Sequence, residues 1–292
     1  YKQPFGTWPT KKPVGRQGVP MDMGKKIRYL GSPFLAVIFG CVVLAGCGST
    51  RPEIYIERPV EDIYNIAMDY LLDGAYEDAA RAFEEVERQH PYSVWSTKAQ
   101  VMAAYAFYMD NDYDSAIIAA ERFISLHPGN EEAPYALYLV GLSYYEQISD
   151  VGRDQGMTEL ALSSFEAVIR RFPGSSYAKD SRLKMGLARD HLAGKEMEVG
   201  RTYQRLDLYV AAINRFRQVV EKYQTTSHVP EALHRLAESY LALGLTAEAE
   251  SAAAVLGHNF GGSNWYDSSY QLLRKSSLEP RLSNQSWLSR LF

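Results

Sequence analysis

A pattern of small, aromatic and proline residues recurs five times between residues 59 and 262. In the first copy Ala67 is followed three residues later by Tyr70, and Phe83 in the next segment is followed by the helix breaker Pro91. Small residues let two helix backbones approach closely, and the aromatic rings fill the space beside them. Because each copy contains two such segments, the pattern predicts five stacked helix pairs.

The spacing of these positions resembles that of the tetratricopeptide repeat. The resemblance implies an all-α fold, a superhelical solenoid of about five helix pairs. Residues 149–156 predict a loop within the third pair, and the periodic segment after Ser175 predicts either an extra helix or one long helix running to about Arg205. In repeats four and five the terminal proline is replaced by Gln224 and Gly261, so less sharp turns are expected there.

The turns between the first helix pairs have residues suited to capping. Ser93, Asn130 and Ser175 each follow a helix-ending proline by two residues. Serine and asparagine side chains accept hydrogen bonds from the first free N–H groups of a helix. These three residues are therefore expected to cap the helices that follow.

A short stretch near the amino terminus, Leu44-Ala45-Gly46-Cys47, ends an apolar run that begins at Phe34 and follows basic residues. The run has the length of a signal-peptide core and is short for a stable membrane span. The stretch resembles the lipobox of bacterial lipoproteins. This resemblance implies that Cys47 becomes the first residue and carries a diacylglyceryl group and an N-acyl chain, with no other cofactor. The alternatives are a plain secretory signal with a chance cysteine, or a core helix.

The lipobox divides the amino-terminal part of the chain into three segments. Residues 1–20 contain no methionine and no apolar periodicity, so we expect a non-native or disordered extension, with Met21 or Met23 as the start. Residues 21–46 are expected to be the signal peptide, and residues 47–58 a lipidated tether.

Removal of the first 46 residues makes the chain markedly acidic. Seven of the 31 basic residues and one of the 35 acidic residues precede Cys47, so the remainder carries 24 basic and 34 acidic residues, a net charge near −10. This balance argues against nucleic acid as a partner, because that affinity depends on neutralising phosphates with lysine and arginine. The other cysteine, Cys41, is lost with the signal, so no disulfide is expected.

Residues 59–174 make up the N-terminal half of the array. The first helix of each pair lines a concave groove in such solenoids, and the repeat register, applied as a resemblance, selects an aromatic and apolar set. The set is Tyr64, Met68, Tyr105, Tyr108, Tyr135, Tyr138 and Tyr145. Tyrosine and methionine offer adaptable contact area, so we predict a client-binding groove here. For each tyrosine the alternative is a place in the core between repeats or on a wet surface.

Residues 175–262 make up the C-terminal half, where the same register selects polar and charged positions. They include Arg201, Arg205, His234 and Glu238 as candidate partner-binding residues, together with Gln204 and Glu231. A charged set of this kind suits oriented docking on a folded partner. For the tail, residues 263–292, the open alternatives are packing on the last repeat, membrane contact or disorder, and packing or disorder is favoured.

Several longer motifs make the resemblance more specific. They are Pro59-Val60-Glu61-Asp62-Ile63-Tyr64, Gln89-His90-Pro91-Tyr92-Ser93, the loop from Asp150 to Gln155, Ala193-Gly194-Lys195-Glu196-Met197 and Ala211-Ala212-Ile213-Asn214-Arg215-Phe216. Together with the lipobox and the five repeats, they resemble the BamD family, the lipoproteins of the outer-membrane β-barrel assembly machine. The resemblance covers residues 59–265.

This resemblance implies a lipid-anchored protein on the periplasmic face of the outer membrane. It implies that the C-terminal repeats contact the periplasmic domains of the barrel protein BamA, and that other lipoproteins join the complex. The N-terminal groove would receive unfolded outer-membrane β-barrel proteins. Arg215 matches the family's partner-facing arginine, with an ordinary surface helix charge as the alternative.

Enzymatic interpretations find little support. Glu238-Ser239 is the dipeptide at the catalytic glutamate of lytic transglycosylases, but it lies inside repeat five and leaves no room for a catalytic domain. The six histidines lack metal-ligand spacing, and no phosphate-binding glycine loop or nucleophile elbow occurs. We therefore expect no catalytic residue, no metal site and no enzyme. The rival binding function is that of a periplasmic repeat adaptor of cell division or peptidoglycan metabolism.

Overall fold

The computed structural model describes residues 58–291, and this part of the chain contains α-helices, one 3-10 helix and no strand. Cys47, the expected amino-terminal extension, the expected signal peptide and the expected tether as far as residue 57 lie outside the described residues. The helices in chain order are α1 (Val60–Leu72), α2 (Tyr76–Gln89), α3 (Val94–Met109), α4 (Tyr113–Leu126), α5 (Ala133–Glu146), α6 (Gly156–Arg171), α7 (Ser176–Arg205), α8 (Tyr209–Lys222), α9 (Val229–Ala242), α10 (Thr246–Phe260) and α11 (Asn264–Lys275), with a 3-10 helix at Trp287–Arg290. The all-α prediction is confirmed.

Consecutive helices pack against each other along the whole array. One phenylalanine in the second helix of each of the first four pairs is fully buried: Phe83, Phe123, Phe165 and Phe216. Two of these rings face a glycine of the neighbouring helix. A Cβ atom at Gly141 would lie 2.7 Å from the Phe165 ring, and one at Gly200 would lie 2.5 Å from the Phe216 ring. The predicted close approach is confirmed for these pairs, and the fold is a tetratricopeptide-like solenoid.

The turns inside four of the helix pairs share one geometry. Each contains one residue with positive φ: Gly74 at 78°, Asn111 at 67°, Asp207 at 57° and Gly244 at 74°. The next residue donates its N–H to the carbonyl five residues before it, as in Leu208 to Tyr203 at 3.0 Å and Leu245 to Tyr240 at 2.8 Å. This is the hydrogen bond of a Schellman motif, which ends a helix at a left-handed residue.

The capping predictions are confirmed at two of three turns. Ser93 Oγ accepts from Trp95 N–H at 3.1 Å, and Ser175 Oγ accepts from Ala178 N–H at 3.1 Å. Asn130 was expected to cap α5, but this helix begins three residues later, at Ala133. The Asn130 side chain instead accepts from Glu132 N–H at 2.8 Å and stabilises the turn before the helix.

The expected insertion forms a folded loop between α5 and α6. The Gln155 side-chain amide donates to the Arg153 carbonyl at 3.1 Å, which closes the loop on itself. Lys195 of α7 donates to the Gly152 carbonyl at 3.0 Å, which fixes the loop to the next repeat. Helix α7 itself is 30 residues long and ends at Arg205. Of the two alternatives for this segment, the structure therefore has the single long helix.

The chain after the fifth pair packs on the array. Helix α11 lies against α9 and α10, and a Cβ atom at Gly257 of α10 would lie 2.5 Å from the Tyr266 ring of α11. The segment that follows reaches back to α9, where Trp287 Nε1–H donates to the Tyr240 hydroxyl at 3.0 Å. Leu288 is fully buried beside it. Of the alternatives for the tail, packing on the last repeat is the one observed for residues 263–291.

Candidate binding surfaces on the first helices of the repeats

The predicted client groove is less open than expected. Tyr105, Tyr108, Tyr135 and Tyr138 are each less than 10% exposed. Tyr64, Met68 and Tyr145 are half-buried. For the four buried tyrosines the structure matches the alternative of a place in the core between repeats. Their role in client binding stays a prediction.

Tyr135 and Tyr138 form a connected cluster of rings with Phe165 of α6 and Tyr177 of α7. The Tyr138 ring lies 5.4 Å from Tyr177 and 6.0 Å from Phe165, and Tyr135 lies 5.3 Å from Tyr177. The Tyr138 hydroxyl donates to the Asp180 carboxylate. Ring contacts of this kind stabilise the cluster beyond the burial of their area. The cluster therefore ties α5 to α7.

Burial also fixes the protonation of these phenols. Burial raises the pKa of Tyr138, and the hydrogen bond to Asp180 raises it further. Burial also raises the pKa of Tyr108, and Glu146 raises it further through its charge and a 3.4 Å hydrogen bond that it accepts from the Tyr108 hydroxyl. Both hydroxyls remain neutral donors at physiological pH.

Sequence reasoning missed two partly exposed residues on the first helices, Trp95 and Lys184. Trp95 is half-buried, lies 4.8 Å from the Tyr64 ring and has the Lys98 ammonium 5.6 Å from its own ring. A second pair occurs further along, where the Lys184 ammonium lies 5.0 Å from the Tyr145 ring. Trp95 falls in the first turn of α3, before the positions that the repeat register selects.

The C-terminal half brings three predicted partner-binding residues into one polar network. Arg201 of α7 forms an ion pair with Glu231 of α9 at 3.1 Å. Gln204, one helical turn further on, donates to Glu238 at 3.1 Å. The Arg235 guanidinium lies 2.9 Å from the Glu238 carboxylate. The network joins repeats four and five across their first helices.

His234 is buried at the centre of this network. Its Nδ1 lies 2.8 Å from the Ser269 hydroxyl of α11, and its Nε2 lies 3.3 Å from the Glu238 carboxylate. The Trp265 ring of α11 packs 5.4 Å from the imidazole. His234 and Glu238 are therefore satisfied within the chain, and neither presents an open charge to a partner.

The pKa of Glu238 reflects this environment. Burial alone would raise it, but the hydrogen bond and charge of His234, together with those of Arg235, lower the pKa from its ordinary 4.5 to about 2. Because the folded-state pKa is lowered, the ionised carboxylate contributes stability that is present above about pH 4.5 and is lost as the pH falls toward 2.

We expect Glu238→Gln to lower the free energy of unfolding at pH 7 by about 1–2 kcal/mol, after allowance for partial exposure of the carboxylate. The difference from the parent protein should shrink as the pH falls from 4.5 toward 2. Urea denaturation at a series of pH values measures it, with exposed Glu198→Gln as the matched control. A stability difference that stays constant with pH would contradict the lowered pKa of Glu238 as its cause.

The two remaining predicted partner residues lie apart from the network. Arg205 is exposed at the end of α7, and its guanidinium donates to the Thr202 hydroxyl at 3.0 Å. Arg215 of α8 forms an ion pair with Glu196 of α7 at 3.1 Å. The hydrogen bond to Glu196 raises the pKa of Arg215, which stays charged. The structure thus joins Arg201, His234 and Glu238 in one network and places Arg205 and Arg215 outside it.

A cavity of about 430 Å³ lies beside Glu196, between the folded loop, α6 and α7. Its lining mixes basic and acidic side chains, including Arg153, Lys195 and Glu159, with the Tyr223 ring. Among residues 58–291, no group of three or more histidine, cysteine, aspartate or glutamate side chains is arranged to hold a metal ion. Within the same range, no helix combines the length and apolarity that a membrane span requires.

Comparison with known proteins identifies the family. The model of a family described as YfiO, outer membrane lipoprotein, matches residues 56–256, more than half of the chain. The chain belongs to this family. A relative from Caulobacter vibrioides, named outer membrane protein assembly factor BamD, is 49% identical over 249 residues, which are 84% of this chain and 82% of the relative. The BamD of Rickettsia prowazekii is 45% identical over 233 residues, 80% of this chain and 93% of the relative.

These findings confirm the resemblance to the BamD family that the sequence motifs predict. Among solved structures, a thermophilic TPR protein of Thermus thermophilus matches 75% of this chain and 98% of its own, with 20% sequence identity and a TM-score of 0.35.

Proposed function

We propose that this protein is an outer-membrane assembly factor that binds unfolded β-barrel proteins and the periplasmic domains of a BamA-type barrel protein. It promotes insertion of the clients into the outer membrane as one component of a complex with other lipoproteins. The lipid chains on Cys47 hold it at the periplasmic face. It acts by binding and carries no catalytic group. Membership of a family whose named relatives are assembly factors is the observation that carries this proposal.

The contrast between the two halves of the array supports a division of labour. The first helices α1, α3 and α5 carry the tyrosine-rich set, whereas α7 and α9 carry the charged network around Glu238. Aromatic surface accepts varied apolar segments, and oriented charges suit a folded partner of fixed shape. We assign clients to the first half and the folded partner to the second.

Two partly exposed aromatic rings of the client half lie close to a lysine, one within that half and one on α7 at the start of the second half. Trp95 with Lys98 and Tyr145 with Lys184 combine a partly exposed ring with a cation at 5.6 Å and 5.0 Å. Such pairs bind apolar side chains on the ring and carboxylates on the lysine. The buried tyrosine cluster between them holds the helices in position.

We expect Trp95→Ala combined with Tyr145→Ala to weaken binding of an unfolded barrel-protein segment at least about tenfold, since central aromatic contacts dominate such interfaces. Binding of the BamA-type periplasmic domains should stay within about twofold of the parent protein. Fluorescence anisotropy with a labelled client segment measures the first affinity, and calorimetry measures the second. Tyr92→Ala, which removes a fully exposed ring outside the groove, is the matched control. If a folded variant lost affinity for both partners equally, the assignment of clients to the first half and of the folded partner to the second half would be wrong.

Depletion of the protein in cells tests the function as a whole. Loss of β-barrel proteins from the outer membrane is the result expected for an assembly factor. Normal barrel proteins together with chained or misshapen cells would instead identify an adaptor of cell division or peptidoglycan metabolism, and would overturn the proposal.

A further inference from the structure

The cavity beside Glu196 lies where the third and fourth repeats join. Its walls are the loop at residues 152–155, the first turn of α6 with Glu159, the middle of α7, and Tyr223 directly after α8. Its volume of about 430 Å³ falls within the range of about 300–1,000 Å³ that is usual for small-molecule sites. The cavity therefore has room for a ligand of the size of an amino acid or a short peptide.

The loop that forms one wall is held in place by its own hydrogen bonds. The Asp150 carboxylate accepts from the Gly152 N–H at 2.8 Å, and the Asp154 carboxylate accepts from the Gly156 N–H at 3.2 Å. Lys195 of α7 holds the same loop at the Gly152 carbonyl. Because these bonds shape the cavity before any ligand enters, the entropic cost of binding is lowered.

The cavity has charges of both signs that do not neutralise each other. Arg153 and Lys195 are positive, and Asp154 and Glu159 are negative. Among residues 58–291, no ion pair joins either cation to either of these carboxylates. The fifth charged side chain of the lining, Glu196, differs because it pairs with an arginine of α8 at 3.1 Å. Two charges of each sign are therefore available to a ligand.

Tyr223 adds a neutral hydroxyl beside the acidic part of the lining. The side chain is half-buried, and this burial raises the pKa of its phenol, which the charges of Glu196 and Glu159 raise further. The phenol therefore stays protonated, and the nearby carboxylates favour a positive group next to it. The Tyr223 ring and the Leu192 side chain also supply apolar surface for the uncharged part of a ligand.

We propose that this cavity binds a dipolar ligand, an amino acid or a short peptide, whose ammonium lies beside Glu159 and Tyr223 and whose carboxylate lies beside Arg153. A lining with charges of both signs complements a ligand that carries both. A phosphate-like anion would meet the carboxylates of Asp154 and Glu159, and a purely cationic ligand would meet Arg153 and Lys195. This binding adds to the proposed function and does not depend on it.

A titration of the detergent-extracted full chain, followed through the NMR signals of the ligand, tests the proposal. The probe is the dipeptide dialanine, which carries one free ammonium and one free carboxylate. Its N-acetylated form lacks the ammonium, and its C-terminal amide lacks the carboxylate. We expect each blocked form to bind at least about tenfold more weakly, because hydrogen bonds to charged groups are the strong ones. Alanine and trialanine, titrated in the same way, distinguish a free amino acid from a longer peptide as the preferred ligand.

The cavity variant is Arg153→Gln with Glu159→Gln, which removes one charge of each sign and leaves the net charge unchanged. The loop uses the backbone of Arg153, not its side chain, so its hydrogen bonds are kept. The matched control, Arg170→Gln with Glu198→Gln, makes the same exchange at two exposed positions outside the cavity. We expect dialanine to bind at least about tenfold more weakly to the cavity variant and within about twofold of the parent affinity to the control. Tyr223→Phe, which removes only the hydroxyl, should weaken binding about threefold.

Thermal unfolding verifies that each variant is folded, and millimolar dialanine should raise the unfolding temperature of the parent and the control but not of the cavity variant. The absence of saturable binding of all three peptides by the folded parent would overturn the inference. Equal binding of dialanine by the parent and the cavity variant would also overturn it, because the ligand would then bind elsewhere. Equal binding of dialanine and its two blocked forms would show that the charges of the ligand are not recognised, and would overturn it as well.

Discussion

Trp287→Ala is expected to lower the free energy of unfolding by about 3 kcal/mol. The indole is 8% exposed, donates to the Tyr240 hydroxyl at 3.0 Å and has the Arg217 guanidinium 4.5 Å from its ring. Buried tryptophan-to-alanine changes cost about 3–5 kcal/mol. The low end applies here because the terminal segment can detach from the array and so leaves no closed cavity.

Denaturant unfolding measures the loss, and hydrogen exchange locates it. Faster exchange should appear in the last turn of α9, near Tyr240, and spread less into the first repeats, because a solenoid is stabilised by contacts between neighbours. Trp287→Phe keeps most of the packing and removes the donor, so it should cost about 1 kcal/mol. Fully exposed Tyr92→Ala serves as the control. Parent-like stability of Trp287→Ala would mean that the tail does not hold the last repeat.

The tail also illustrates what the sequence could not supply. Five copies of one pattern predict the helix pairs, because a match at the same positions in several copies rarely arises by chance. The packing of small residues on phenylalanine also takes place within one pair, so a short stretch of sequence contains both partners. Residues after the fifth copy have no second example for comparison. The partner of Trp287, Tyr240, lies 47 residues away, and nothing in the local pattern joins the two.

The candidate sites were predictable in position and much less so in exposure. The repeat register places Arg201 and Glu238 on adjoining helices, and the structure joins them through Glu231 and Arg235. The burial of a side chain depends on which side chains of the next repeat pack over it. Tyr138 is covered by Tyr177, from a helix whose length the sequence left open. The repeat register describes positions along one helix and contains no information about the residues of another helix that pack over them.

Gly200→Ala tests the packing rule on which the whole array depends, and we expect it to destabilise the protein by about 2 kcal/mol. The new Cβ would lie 2.5 Å from Phe216 Cε1, closer than packed carbon atoms approach. Phe216 is fully buried, so its ring has little freedom to move aside. Overpacking of this kind costs about 1–3 kcal/mol, which outweighs the gain of up to about 1 kcal/mol from replacing glycine within a helix.

Gly186 of the same helix supplies the matched control, because a Cβ atom there meets nothing within 4 Å. Gly186→Ala should therefore stabilise the protein by up to about 1 kcal/mol through helix propensity alone. In a Phe216→Leu background the smaller side chain removes the overlap, so Gly200→Ala should lose most of its cost, a coupling that a double-mutant cycle measures. If Gly200→Ala stabilised as Gly186→Ala does, small residues would not be setting the distance between paired helices. The repeat pattern would then reflect helix propensity rather than close packing.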